Sequence, residues 1–125
     1  MCTQGNIQIL IYRGSLIEFA VHIIKITTKL PKSSAGKHVA NQLLRSGTSP
    51  APNYAEARSA ESKNDFIHKL KIVLKELNET KVWLQIIIRS QFEMDGVPIG
   101  LHNECDELCR IINASVTTAI KQNNQ

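Results

Sequence analysis

Basic side chains are the functional groups that cluster most clearly in this sequence. The chain has 125 residues and a formal net charge of +4, and no acidic residue lies between Phe19 and Ala55. Lysine and arginine neutralise phosphate groups without reading the base sequence. We therefore predict an electrostatic surface for RNA or DNA, formed by seven basic residues: Lys29, Lys32, Lys37, Arg45, Arg58, Lys63 and Lys69.

The same basic surface lacks the usual means of reading a nucleic acid. Aromatic residues make up only 5% of the chain, so no stacking platform for bases is evident, and no recognised reading motif is present. Each single lysine is also explained as a solvated surface charge. We therefore retain an alternative function, a protein–protein interaction module without any role in nucleic-acid binding.

Metal-dependent or covalent catalysis finds little support in the sequence. A di-metal site in a helical bundle needs two Glu-x-x-His motifs, whereas this chain offers only Asp65-x-x-His68. His102, Cys105 and Cys109 lack an evident fourth ligand for zinc. Phosphate-binding loops, nucleophile elbows and dinucleotide glycine patterns are also missing. We predict a non-enzymatic protein with no catalytic residues, no metal and no cofactor.

A polar motif formed by Ser49, Asn53 and Glu56 follows the glycine at position 47. One interpretation is a polar pocket that binds a ligand. The interpretation that we favour is a helix restart, in which Thr48 or Ser49 caps a new helix beginning at Pro50. Its polar side chains then fix helix register or subunit contacts.

Four helices are predicted to position these groups. Apolar residues recur at helical spacing from Ser15 to Lys29, in a second helix capped by Ser33 or Ser34, from about Ser62 to Ser90, and again from Leu101 to Ala119. Such helices with short connections pack most simply as an all-α, antiparallel up-down four-helix bundle.

Apolar residues cover an unusually large part of the first helix. Ile17, Val21, Ile24 and Ile26 widen its apolar surface beyond one stripe, which indicates contacts on two sides and self-association.

The predicted domain organisation is an irregular lead-in over residues 1–14 and one bundle domain over residues 15–122. No secretory signal and no membrane-spanning stretch is recognisable. The three cysteines are an odd number, and we expect reduced thiols in a cytoplasmic protein that does not contact a membrane.

The segment Leu43–Thr80, LLRSGTSPAPNYAEARSAESKNDFIHKLKIVLKELNET, resembles the four-helix bundle proteins of the S23 type, also described as 23S rRNA intervening-sequence proteins. Ile17-Glu18-Phe19-Ala20, Leu30-Pro31 and Trp83-Leu84 agree with the same family. The resemblance extends from about Ser15 to Ile120, and only the residues before Ser15 depart from the family's pattern.

This resemblance implies an assembly and an anionic partner, not a reaction. Family members tend to form a homopentamer around a central axis. Related accessory proteins of diversity-generating retroelements bind nucleic acid and a reverse transcriptase. The partners expected by resemblance are therefore further copies of the chain, RNA or DNA, and a reverse transcriptase or another protein.

Overall fold

The fold is all-α in the part of the chain that the structure describes. The computed structural model describes the backbone of residues 3–92 and 95–124, and the side chains of these ranges from residue 14 onward. It contains five helices with the following bounds: α1 Thr3–Thr27, α2 Ser34–Thr48, α3 Pro50–Arg58, α4 Lys63–Arg89 and α5 Val97–Asn123. None of these helices combines the length and hydropathy needed to cross a bilayer.

The helices form an antiparallel up-down bundle in which α2 and α3 together make one of the four sides. Contacts fix the helix directions. His38 and Arg45 of α2 lie beside Trp83 and Glu79 of α4, respectively, so that α2 and α4 run in opposite directions. Likewise, Gln85 and Lys63 of α4 contact His102 and Gln122 of α5. The predicted fold class is confirmed.

The first helix begins earlier than predicted. Residues 3–14 form the N-terminal part of α1 rather than the irregular lead-in that was expected, and Ser15 lies inside the helix. Residues 1–2 lie outside the described part. The segment is rich in β-branched residues, whose helix propensity is lower, but short apolar runs do not distinguish a strand from a helix.

A single apolar core runs between the four sides of the bundle. On α1 it includes Ile26, which was predicted to widen the outer apolar surface, whereas the adjacent Thr27 is only half-buried. On α4 the buried residues recur at helical spacing from Ile67 to Ile87, while Phe66 packs against the core as a half-buried residue. The remaining apolar residues of α1 that were predicted to widen its surface are exposed: Ile17, Val21 and Ile24.

Two glycines permit close packing around α2. A Cβ on Gly36 would clash with the Pro31 carbonyl oxygen. A Cβ on Gly47 would lie 2.8 Å from Cγ1 and Cγ2 of Ile23. Gly36 therefore lets the connection after α1 pack on the start of α2, and Gly47 lets the end of α2 pack against α1.

Candidate functional site: the basic end and the α4–α5 seam

Several exposed lysines lie at the end of the bundle where α1 ends and α2 begins. Ser33 caps α2 by accepting a hydrogen bond from the Gly36 amide at 3.1 Å, as predicted for this helix start. Three lysines in or next to this connection are exposed, and none has an ion-pair partner among the described residues: Lys29, Lys32 and Lys37.

Two further cations belong to this end and were not included in the predicted surface. Lys25 and Arg89 are exposed residues in the last turns of α1 and α4, which finish at the same end of the bundle. Lys25 precedes Lys29 by one helical turn, so the helical spacing in the sequence could have placed it on the same surface as Lys29. Arg89 joins the group only through the up-down topology. We call the five residues the basic end: Lys25, Lys29, Lys32, Lys37 and Arg89.

Arg45 lies away from the basic end, along the α2–α4 seam. Its guanidinium pairs with Glu76 at 3.3 Å and with Glu79. Glu79 also accepts a hydrogen bond from Trp83 Nε1 at 3.1 Å. Two carboxylates therefore compensate the charge of Arg45, which makes it a structural bridge between two helices.

The other predicted basic residues lie toward the opposite end of the bundle. Lys69 pairs with Glu56 at 3.7 Å, and Lys63 Nζ donates to Gln122 Oε1 at 3.3 Å. Arg58 lies over the Phe66 ring, 6.0 Å from its centroid. The structure thus divides the seven predicted residues between the two ends and the middle, rather than placing them on one surface.

The polar motif at the helix restart divides in a similar way. Ser49 directly precedes α3, but its side chain makes no capping hydrogen bond, so the predicted cap by Ser49 is wrong. Instead, Asn53 Nδ2 donates to the Ser49 carbonyl oxygen at 3.0 Å and to its Oγ at 2.9 Å. Glu56 does not join them, because its side chain is 60% exposed and pairs with Lys69. These contacts stabilise the break between α2 and α3 and do not include Glu56.

No carboxylate metal site is assembled within the described residues, where no three of the His, Cys, Asp and Glu side chains are arranged to hold an ion. His22 lies between two carboxylates, 3.3 Å from Glu18 and 3.2 Å from Glu104, and links α1 to α5. His102 contacts Gln85 at 3.3 Å.

Two buried thiols occupy the α4–α5 seam. Cys105 Sγ donates to the Leu77 carbonyl oxygen at 3.1 Å, and Cys109 Sγ lies 3.6 Å from Asn78 Oδ1. The neighbouring Cys109 thiol raises the pKa of Cys105, and burial raises it further. The neighbouring Cys105 thiol and, to a smaller extent, the Lys81 ammonium lower the pKa of Cys109, against the opposing effect of its own burial. Cys109 is therefore the thiol that ionises first.

Comparison with known proteins agrees with this architecture. A family model described as "23S rRNA-intervening sequence protein" matches residues 10–114. A solved structure of a protein with unknown function from the S23 ribosomal protein family of Bacteroides thetaiotaomicron superposes with a TM-score of 0.78. It is 34% identical and covers 84% of this chain and 97% of its own. No curated protein matches this chain.

The family match starts at residue 10, inside the part of α1 that the sequence pattern had left out of the bundle. The matched segment spans all four sides of the bundle and most of α5. The chain therefore belongs to the 23S rRNA-intervening sequence protein family.

Proposed function

We propose that this protein is a non-enzymatic, cytoplasmic accessory or scaffold protein that assembles with copies of itself and binds RNA or DNA electrostatically. The observation that carries the proposal is the basic end, where Lys29, Lys32 and Lys37 are exposed and free of ion pairs among the described residues. A lysine whose charge is not compensated gains most from contact with a phosphate, because no existing ion pair must first be broken.

Self-association would multiply this weak surface. One basic end offers few phosphate contacts, but several ends held in one assembly act with an effective concentration set by their spacing. A pentamer, as the family resemblance implies, would present five basic ends. Binding would then be tolerant of sequence and sensitive to salt, because released counterions dominate the free energy.

The outer stripe of α1 supports the assembly. Ile17 and Ile24 are 50% and 48% exposed, and Val21 lies between them on the same face. These residues follow i, i+4, i+7 spacing, so they form one continuous apolar strip on the solvent side of the helix. Uncompensated apolar strips of this kind are typical of interaction surfaces.

The test measures fluorescence anisotropy of a labelled rRNA fragment at low and high salt. Replacing the three lysines together by glutamate is expected to abolish binding at low salt. The matched control replaces Lys71 and Lys75, which are also exposed and lack ion pairs within the described chain but lie on the outer face of α4. Equal losses in both variants would contradict a localised surface, and no binding by the unmodified protein would remove the function.

A second candidate function is a protein–protein interaction module without nucleic acid, for example one that binds a reverse transcriptase or another protein. The same α1 stripe favours it, because an apolar strip suits a protein surface better than a phosphate backbone. It predicts that the lysine variant retains every interaction of the protein. The anisotropy measurement above therefore separates the two functions.

A further inference from the structure

The aromatic side chains that the structure describes are all engaged in packing. Four of them are buried in the core or half-buried against it: Phe19, Tyr54, Phe66 and Phe92. Trp83 is also half-buried, makes an edge-to-face contact with His38 at a centroid distance of 5.9 Å and donates from Nε1 to Glu79. None of these described rings is therefore exposed as a platform for an unpaired base.

The basic end offers cations without such a platform. Proteins that hold single strands without sequence preference combine a basic groove with aromatic rings on which successive bases stack. The lysines and arginines that form ion pairs within the described chain lie elsewhere: Arg45, Lys69, Lys81 and Arg110. The exposed cations of the basic end therefore attract phosphate groups, whereas an unpaired base finds no stacking partner among the described rings.

A surface that attaches only through cations gains more from a duplex than from a single strand. A duplex carries one phosphate charge per about 1.7 Å of its axis, compared with about 3.4 Å for one strand. Each phosphate that is neutralised releases about 0.9 counterions from a duplex and about 0.7 from a single strand. The bases of a duplex are already paired and stacked, so they need no ring from the protein.

We propose that the basic end binds double-stranded nucleic acid in preference to single strands, through phosphate groups on both strands. This inference rests on the proposed nucleic-acid function. The cations come from several elements: Lys25 from α1, Lys29 and Lys32 from the connection, Lys37 from α2 and Arg89 from α4.

The arrangement of these elements suits two phosphate backbones. Helix α2 packs against both α1 and α4. Since the axes of packed helices are about 8–10 Å apart, the cations are spread over at least this distance. The grooves of a B-form duplex are about 6 and 12 Å wide, so cations with this spread reach phosphates on both sides of a groove.

The experiment measures fluorescence anisotropy as full-length protein is added to a labelled duplex or to an unstructured single strand with the same total number of phosphates. RNA and DNA versions of both probes are used. We expect the duplex to bind at least about threefold more tightly at low salt and to show the steeper salt dependence. Replacing Lys29, Lys32 and Lys37 together by glutamate is expected to remove the binding of the duplex.

A variant that adds the missing ring tests the cause of the preference. Ala35 is exposed in the first turn of α2, between Lys32 and Lys37. Ala35→Tyr is expected to tighten the binding of the single strand at least about fivefold, while the affinity for the duplex changes less than about twofold. Ala114→Tyr is the matched control, since Ala114 is also exposed but lies in the C-terminal half of α5, away from the basic end. Circular dichroism checks that each variant remains helical.

The outcomes separate this inference from the proposed function. Binding of the single strand as tight as that of the duplex would overturn the preference and leave the nucleic-acid function in place. Duplex binding that survives in the folded triple-lysine variant would also overturn the proposal, because the contact would then lie elsewhere. An Ala35→Tyr protein without any gain for the single strand would contradict stacking as the cause. No binding of any probe would remove the proposed function and this inference together.

Discussion

Gly47 of α2 packs directly on Ile23 of α1, at a separation where a Cβ would lie 2.8 Å from two side-chain carbons. Both residues are buried, and Ile23 is fully inaccessible to solvent. The glycine therefore sets the distance between two sides of the bundle. Any larger residue must displace Ile23 within a filled core.

Replacing Gly47 by alanine is expected to destabilise the protein by about 1–3 kcal/mol, because overpacking outweighs the gain in helix propensity. Urea denaturation followed by circular dichroism measures the effect. Gly100→Ala is the matched control, since a Cβ there meets nothing within 4 Å and the residue lies in helix α5. The control is expected to be neutral or slightly stabilising, and the same loss at both positions would contradict the packing argument.

The buried hydroxyl pair between α2 and α4 makes a second prediction. Thr80 Oγ1 and Ser46 Oγ are 2.9 Å apart and both residues are inaccessible to solvent. Thr80→Val alone is expected to cost about 1–2 kcal/mol, because it leaves Ser46 without this partner. Adding Ser46→Ala should recover part of the loss. A double-mutant cycle on the free energy of unfolding measures the coupling, and additive losses would show that the hydroxyls do not interact.

Arg45 and Lys32 are expected to respond differently to neutralisation. Arg45→Gln should lower the free energy of unfolding by about 1 kcal/mol, since it leaves Glu76, whose side chain is only 14% exposed, without its cation. It should change nucleic-acid affinity less than Lys32→Gln, which removes an uncompensated charge. Thermal denaturation and anisotropy on the same two proteins provide the comparison. A larger loss of nucleic-acid affinity in Arg45→Gln than in Lys32→Gln would show that Arg45 belongs to the binding surface.

The thiol pair predicts an early titration. In the Cys2→Ser protein, which lacks the third thiol, the ultraviolet absorbance of thiolate should first appear below the usual thiol pKa of about 8.5, because the neighbouring Cys105 thiol lowers the pKa of Cys109. Cys105→Ala should raise the pKa of Cys109 by removing this thiol, and Cys105→Ser should keep it low because a hydroxyl can also donate to a thiolate. Identical titrations in the two variants would rule out the hydrogen bond as the cause.

The ionisations of Cys109 and Cys105 change the stability of the folded protein in opposite directions as the pH rises. The lowered pKa of Cys109 stabilises the folded protein increasingly as the pH rises toward about 8.5, because the unfolded chain still binds its proton there. The raised pKa of Cys105 acts above that range, where only the unfolded chain releases this proton and stability falls.

Assembly is expected to depend on the outer stripe of α1. Val21→Lys together with Ile24→Lys should reduce the mass measured by light scattering, because two buried cations would have to be desolvated in an apolar interface. Val82→Lys is the control, since Val82 is also exposed, at 51%, but lies on α4. An unchanged mass in the α1 variant would place the contact elsewhere, and a monomeric unmodified protein would remove the assembly.

Local features of this fold were predictable because neighbouring residues determine them. The predicted span of about Ser62 to Ser90 agrees with α4, Lys63–Arg89, and followed from periodicity. As predicted, α3 starts at Pro50, where the first turn of a helix tolerates the missing N–H of proline. Each of these depends on residues within one or two helical turns.

Features that depend on distant partners were not predictable in the same way. The compensation of Arg45 requires glutamates 31 and 34 positions away, and the contact of Cys109 with Asn78 spans 31 positions. On α1, Ile26 replaces Thr27 in the core because packing against neighbouring helices selects which part of a broadly apolar surface is buried. Only the assembled bundle determines these choices.

The up-down topology also has a practical consequence for handling the protein. Because α1 ends and α5 begins at the basic end, the start of α1 and the end of α5 are directed away from it. The 27 residues of α5 separate the two sides by about 40 Å. A fluorescent protein or a surface tether attached before the start of α1 or after the end of α5 would therefore leave Lys32 and its neighbours unobstructed.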